Sequence, residues 1–180
     1  CSSKVRDEYW DRVYISTLFT YNWHETVKTI NYYVDTLFNF SRKIYVGGIL
    51  ANLMPDDLFN ISGIQPVIGL LNDPKKVDQD DDIIIDELPP DYEILKQVDF
   101  KYDYTDAYLG YTTRGCVRSC DFCAVKTLEP EYVPYIDINK LIREVANMYG
   151  DKQNLLLMDN NVLASKHFDK IIDDIKSAGF

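Results

Sequence analysis

The chain has 180 residues, 46% of them hydrophobic and 13% aromatic, which fits a folded protein and excludes a disordered one. A net charge of −10 argues against a general nucleic-acid binder, and no apolar run is long enough to span a bilayer. Four unevenly spaced cysteines do not make a secreted disulfide framework and point to a reducing, cytoplasmic setting.

The chain starts at Cys1 without a methionine or a signal peptide and ends at Gly179-Phe180, where a helix has just stopped. It is expected to be a fragment open at both ends. Val13 to Thr17 form a β-rich run, and Val27, Ile30, Val34, Leu37 and Phe38 then recur at helical spacing. "KIYVGG" (Lys43 to Gly48) reads as a strand with a glycine turn, and "PVIGLL" (Pro66 to Leu71) as a further strand. Strand, helix and strand with short turns predict an α/β, Rossmann-like doubly wound unit over residues 1–72.

Residues 73–104 interrupt the pattern. Between Asp73 and Asp106 stand twelve acidic and four basic residues, so this stretch holds most of the net charge. Pro74, Asp80 to Asp82 and Pro89-Pro90 punctuate it, and only Ile83 to Ile85 looks strand-like. The reading is a solvated acidic linker, since the ligand rhythm and turn glycine of a calcium loop are missing.

A second unit is expected over 105–180. "AYLGYTT" (Ala107 to Thr113) reads as a strand running into the cysteines, and Ile138, Leu141, Ile142, Val145, Met148 and Tyr149 form a helical stripe closed by Gly150. "NLLLMD" (Asn154 to Asp159) resembles a strand buried in a parallel sheet, and Ser165 is placed to cap a last helix with Phe168, Ile171, Ile172 and Ile175 inward. This βαβα order belongs to barrels and open sheets, whose chemistry sits at the carboxyl ends of the strands. The cysteine loop and Asp159-Asn160-Asn161 both fall there.

Cys116, Cys120 and Cys123 are spaced C-x3-C-x2-C in "YTTRGCVRSCDFCAV". Closely spaced loop cysteines hold iron–sulfur clusters as thiolates, and a [4Fe–4S] cluster on only three leaves one iron open to an external ligand. Arg114, Arg118 and Lys126 against the single acid Asp121 favour the thiolate form. Zinc is the competing ligand, although no nearby histidine or fourth cysteine completes its tetrahedron; ferredoxin-type runs differ in spacing and number.

The spacing, together with "TRGCVRSCDFCAV", "LEPEY" and "LLLMDNNVLAS", resembles the radical SAM superfamily, in an uncharacterised subgroup, and more loosely the methylthiotransferases. The resemblance implies that 105–180 are the first two βα units of a partial (βα) barrel. It implies a [4Fe–4S] cluster on Cys116, Cys120 and Cys123, with S-adenosylmethionine (SAM) on its open iron. It further implies an adenine contact by the backbone of Phe122, the aromatic residue before the last cysteine. Asp159, Asn160 and Asn161 stand where the family often has Gly-Gly-Glu for the methionine amino group of SAM. An external electron donor of flavodoxin or ferredoxin type would reduce the cluster. The reductive cleavage of SAM would yield a 5′-deoxyadenosyl radical for hydrogen abstraction.

Residues 1–72 resemble cobalamin-binding domains of the doubly wound type. Ser16-Thr17-Leu18 precede Gly47-Gly48 by the twenty-eight residues Phe19 to Val46, the spacing of that family's Ser-x-Leu and Gly-Gly motifs. The resemblance implies that Ser16 and Leu18 line a cobalamin pocket and that Gly47 and Gly48 admit the ligand close to the backbone. The family's histidine loop would lie upstream of Cys1, and a Rossmann-like domain that has lost the cofactor is the competing reading. With cobalamin, methyl transfer to an unactivated carbon is the expected reaction; without it, methylthiolation or another radical step. A non-catalytic binding module held by a metal or cluster is the rival from another class.

The aromatic residues Tyr32, Tyr33, Phe38, Phe40, Tyr102, Tyr104, Tyr108 and Tyr111 read as packing, because an RNA-stacking surface would place basic residues between them. Glu129 and Tyr132 are expected to pack the cysteine loop, with positioning of substrate as the competing role, and His24 to be an ordinary polar residue, while His24 and His167 lack ligand spacing.

Overall fold

Two parallel two-stranded sheets organise the chain, each built by a crossover that carries helix. A computed structural model describes residues 10–37, 43–97, 99, 100, 102 and 104–180. The chain divides into two α/β units, Cys1–Ile83 and Ile84–Phe180. No helix among the described residues is long and apolar enough to cross a membrane.

In the first unit, β1 (Arg12–Thr17) pairs in parallel with β2 (Lys43–Gly48), with Ser16 opposite Gly47 and Thr17 opposite Gly48. Between them runs α1 (Trp23–Leu37), whose Ile30 is fully buried and whose Val27 and Val34 pack alongside; Phe38 and Phe40 lie outside the described residues. Two short helices, α2 (Ile49–Leu53) and α3 (Pro55–Ser62), follow β2 and add Leu50, Ala51 and Leu58 to the same core. The stretch expected to be a strand at Pro66–Leu71 is not one. Only the Val67 amide reaches β2, donating to the Val46 carbonyl at 2.8 Å. Pro66 has no N–H to offer, and the Gly69 amide is taken by the Asn52 side chain at 2.6 Å, so no ladder propagates.

The acidic stretch is shared between the units and is not wholly solvated. Val77 is buried in the first unit, where Asp78 accepts hydrogen bonds from Lys43 and from the Tyr45 hydroxyl, and Arg12 pairs with Asp80 at 3.0 Å. Ile83 to Ile85 form no strand; Ile85–Glu87 make a 3-10 turn, and Ile83 is exposed. In the second unit Tyr92 is buried, and its hydroxyl donates to the Ala107 carbonyl at 2.9 Å while accepting from the Leu109 amide at 3.0 Å.

The second sheet pairs β3 (Ala107–Gly110) in parallel with β4 (Asn154–Leu157). Tyr92 satisfies the edge of β3, because the Asp106 and Gly110 carbonyls bond to Asn154 and Met158 while Ala107 and Leu109 turn the other way. The connection carries α4 (Val125–Leu128) and α5 (Ile138–Tyr149), the latter capped by Asp137 through the Asn139 amide at 3.0 Å and ended by Gly150. Ile138 and Val145 are buried; Met148, expected on the same stripe, is exposed at the flank of the apolar face. On β4, Leu156 and the following Met158 are exposed, so only one face of this strand is covered among the described residues.

The last helix, α6 (Phe168–Ser177), starts later than Ser165 yet depends on it. The Ser165 hydroxyl accepts from the His167 amide at 3.0 Å and donates to the Pro134 carbonyl, tying the helix start to the segment before α5. A second tie joins the same parts. Lys170 donates to Asp174 at 2.8 Å and the Tyr135 hydroxyl to the same carboxylate at 2.7 Å, together holding the Asp174 carboxyl below the usual range. Tyr108 is buried against Phe180, as expected for packing, whereas Tyr102 and Tyr104 are exposed.

Gly48 has φ +97°, and a Cβ there would stand 2.3 Å from the Thr17 carbonyl oxygen, whereas one on Gly47 meets nothing closer than 3.5 Å. Gly48→Ala is expected to destabilise the first unit by roughly 2–5 kcal/mol, through backbone strain and overpacking. Gly47→Ala should stay within about 1 kcal/mol of the parent. Urea unfolding followed by circular dichroism measures both.

Candidate functional site

The carboxyl ends of β3 and β4 lie side by side, and the chain leaving each carries the polar residues singled out in the sequence. At the exit of β3, Thr112 and Thr113 are fully buried. Their amides and hydroxyls have no ladder partners there, and Asp159, two residues past β4, supplies the acceptors. Its carboxylate takes the Thr112 hydroxyl at 2.8 Å, the Thr113 hydroxyl at 2.6 Å, the Thr112 amide at 3.1 Å and the Thr113 amide in a further short bond. Buried donors without such a partner would each be destabilising, which gives Asp159 a structural task of its own.

The segment after the loop closes its base from the other side. The Arg114 amide donates to the Val133 carbonyl at 3.1 Å, the Arg114 carbonyl accepts from the Val133 amide at 2.9 Å, and the Ile136 amide donates to the Thr112 carbonyl at 2.7 Å. The cysteine loop therefore projects from a two-sided clamp. Arg114 itself lies 4.2 Å over the Tyr111 ring, pairs with Asp86 at 3.0 Å and has its Nε 3.4 Å from Glu129, close enough for ion pairing but without hydrogen-bond geometry. Glu129 accepts from the Gly115 amide at 2.6 Å and from Asn160 Nδ2 at 3.0 Å.

Cys116, Cys120 and Cys123 are all free thiols. Cys116 and Cys120 are half-buried and Cys123 is exposed; the Cys123 amide closes a turn on the Cys120 carbonyl at 3.0 Å. The Cys116 sulfur accepts from the Arg118 amide at 3.4 Å and from Asn161 Nδ2 at 3.7 Å. The Arg118 amide foremost, then Asn161 and the charges of Arg118 and Lys126, pull the Cys116 thiol below its usual pKa against the opposing effect of partial burial. These are the surroundings a metal-binding thiolate requires. Among the described residues, no three His, Cys, Asp or Glu side chains gather closely enough to hold a metal ion.

The structure brings Asn161 to Cys116, but it commits Asp159 to the two threonines and engages Asn160 with Glu129. Phe122 is 93% exposed on the loop. Glu129 lies against the cysteine loop, as the sequence leads one to expect; its partners, the Gly115 amide and Asn160, are supplied by the fold.

In the first unit, Ser16 and Leu18 are exposed at the carboxyl end of β1, level with Gly47 and Gly48. Thr17 and Asn52, which no motif marked, hold this end together. The Thr17 hydroxyl donates to the Gly47 carbonyl at 2.8 Å and accepts from the Ala51 amide at 3.0 Å, and Asn52 Nδ2 donates to the Gly48 carbonyl at 2.8 Å. The space that Gly48 leaves free is filled by Thr17 of its own chain, so close approach of β1 already requires this glycine. A cleft of about 600 Å³ lies elsewhere in the unit, lined by residues that include Lys43, Tyr45, Ile64, Pro66 and Lys76, and none of the four motif residues lines it. His24 is exposed in the first turn of α1, and His167 stacks edge-on against Tyr135.

No protein-family model, no curated protein and no solved structure matches the chain.

Two outcomes follow from this geometry. Asp159→Ala, which strands four buried donors, is expected to lower the stability of the second unit by roughly 2–4 kcal/mol, and Asp159→Asn, which keeps one oxygen, by about 1 kcal/mol, both in denaturant titrations. The pH profile of Cys116 alkylation should have its midpoint below that of an ordinary thiol, because a depressed pKa leaves more thiolate at neutral pH. Asn161→Ala should move that midpoint upward.

Proposed function

We propose that this chain is part of a radical SAM enzyme, with Cys116, Cys120 and Cys123 holding a [4Fe–4S] cluster. The observation that carries the proposal is the C-x3-C-x2-C spacing on a loop that leaves the carboxyl end of a parallel strand, with hydrogen-bond donors aimed at the Cys116 sulfur. The two βα units of residues 105–180 are read as the start of a partial (βα) barrel, and the first unit as a Rossmann-like domain.

When bound, the cluster, reduced by an external one-electron donor, would supply the electron that cleaves SAM to methionine and a 5′-deoxyadenosyl radical able to abstract a substrate hydrogen. The chain's own residues prepare for this. Arg118 and Lys126 favour the Cys116 thiolate, Asn161 and the Arg118 amide orient Cys116, and the Asp159–threonine clasp holds the loop's root. The Phe122 backbone is proposed to meet the adenine, and Asn160 and Asn161 the methionine end of SAM, with Asp159 reserved for the clasp. A reductant of flavodoxin or ferredoxin type and a cytoplasmic location complete the proposal. Ser16, Leu18, Gly47 and Gly48 are proposed to border a cobalamin site, with methyl transfer as the reaction if cobalamin binds and methylthiolation or another radical step if it does not.

Anaerobic reconstitution with iron and sulfide, followed by SAM and dithionite, tests the reading. About four irons per chain and formation of 5′-deoxyadenosine are expected, and Cys120→Ala should abolish both. About one zinc per chain, with no cluster absorbance and no cleavage, would replace the enzyme with a metal-stabilised binding module.

A further inference from the structure

We infer that Glu129 is a positioning residue for the cysteine loop, fixing where Cys116 stands relative to the chain leaving β4. One oxygen of its carboxylate, Oε2, accepts from both the Gly115 amide at 2.6 Å and Asn160 Nδ2 at 3.0 Å. Gly115 immediately precedes Cys116, and Asn160 immediately precedes Asn161. The hydrogen bond from Asn161 to the Cys116 sulfur, 3.7 Å long, thus has each of its ends one residue away from a group held by the same oxygen atom. A long N–H···S contact keeps its geometry only if both partners are held, and Glu129 holds the residue before each of them.

An independent feature presses the same parts together. Gly115 has φ +70°, and a Cβ there would stand 2.5 Å from the Glu131 carbonyl oxygen and 3.2 Å from that of Glu129. The backbone of residues 129–131 is therefore a wall against the residue before Cys116, and the Glu129 carboxylate reaches round to bond the same residue's amide. The other oxygen, Oε1, faces Arg114, and the Glu129 side chain is only 13% exposed. A glutamine can present one oxygen to Gly115 and Asn160, but its NH2 group would then oppose the guanidinium, so the substitution keeps only part of the arrangement. That the thiols serve a cluster rests on the function proposed above; the positioning of Cys116 does not.

The test is residue-resolved alkylation of the reduced, metal-free 180-residue chain with iodoacetamide, mapped by mass spectrometry, at a pH high enough to ionise all three thiols, so that access and not the thiol pKa sets the rate. In Glu129→Ala, Cys116 is expected to react roughly three- to tenfold faster than in the parent, the loss of two charge-assisted hydrogen bonds having freed it. Cys123, already exposed, should be unchanged, and Glu129→Gln should fall between. A folded Glu129→Ala chain whose Cys116 rate stays within about twofold of the parent, or whose three cysteines accelerate equally, overturns the inference. If Glu129→Ala does not fold by circular dichroism, Asn160→Ala decides: a rise confined to Cys116 supports the inference, and no rise overturns it. Iron uptake by the parent is measured in parallel. No uptake would defeat the cluster reading while the alkylation ratio still decides the role of Glu129.

Discussion

The carboxylate of Asp159 and the four donors of Thr112 and Thr113 are the constraint on which the second unit depends. Parallel strands lose their ladder partners where they end, and the amides at that point must be satisfied by something other than sheet. Here one buried acid from the neighbouring strand does so, and the two threonine hydroxyls add to its hold. Everything beyond β4 then inherits a fixed starting point: Asn160 reaches Glu129, and Asn161 reaches Cys116. The cysteine loop is held because its root and its neighbour are fastened to each other.

The same economy governs the acidic middle of the chain. Local negative charge in a short stretch ordinarily spreads into solvent, yet here several acids have cationic partners from the folded units. Asp78 and Asp80 meet Lys43 and Arg12, while Asp86 and Glu87 meet Arg114 and Lys140. Most of these pairs are exposed and stabilise little. The pair of Arg114 with Asp86 is more sheltered, and it places a cation beside Glu129, where the loop is held. Tyr92 completes the attachment. Its hydroxyl takes the place of a missing strand along β3 and protects backbone groups that an open edge would expose.

Glycines illustrate how one residue type answers different demands. A Gly-Gly pair at a strand end suggests room for a ligand, but Gly48 is required by the carbonyl of Thr17, and only Gly47 has its Cβ position open. Gly115 likewise owes its place to the carbonyl of Glu131. In both places the approaching group belongs to the chain itself, so a motif that matches a binding signature can be satisfied by packing first.

The strands Arg12–Thr17, Lys43–Gly48, Ala107–Gly110 and Asn154–Leu157 and the long helices were legible in the sequence, because period and composition report which face a segment buries. The cysteine loop was legible as a set of thiol donors at a strand end. Pro66–Leu71 misled because apolar composition resembles a strand even where Pro66 and Asn52 stop the ladder. Met148 misled because a stripe's edge is set by how far the neighbouring elements reach. The task of Asp159 could not be read from local pattern, and for Glu129 only its place against the cysteine loop could: an acid's neighbours in sequence say nothing about which amides will lack acceptors. By itself the sequence determined the four paired strands and the long helices, the parallel α/β character and the identity and spacing of the thiols, since these follow from local periodicity and side-chain chemistry. Only the tertiary structure decided which carboxylates serve the scaffold and which amide faces Cys116, because unpaired donors at strand ends come into being only when the strands are brought side by side.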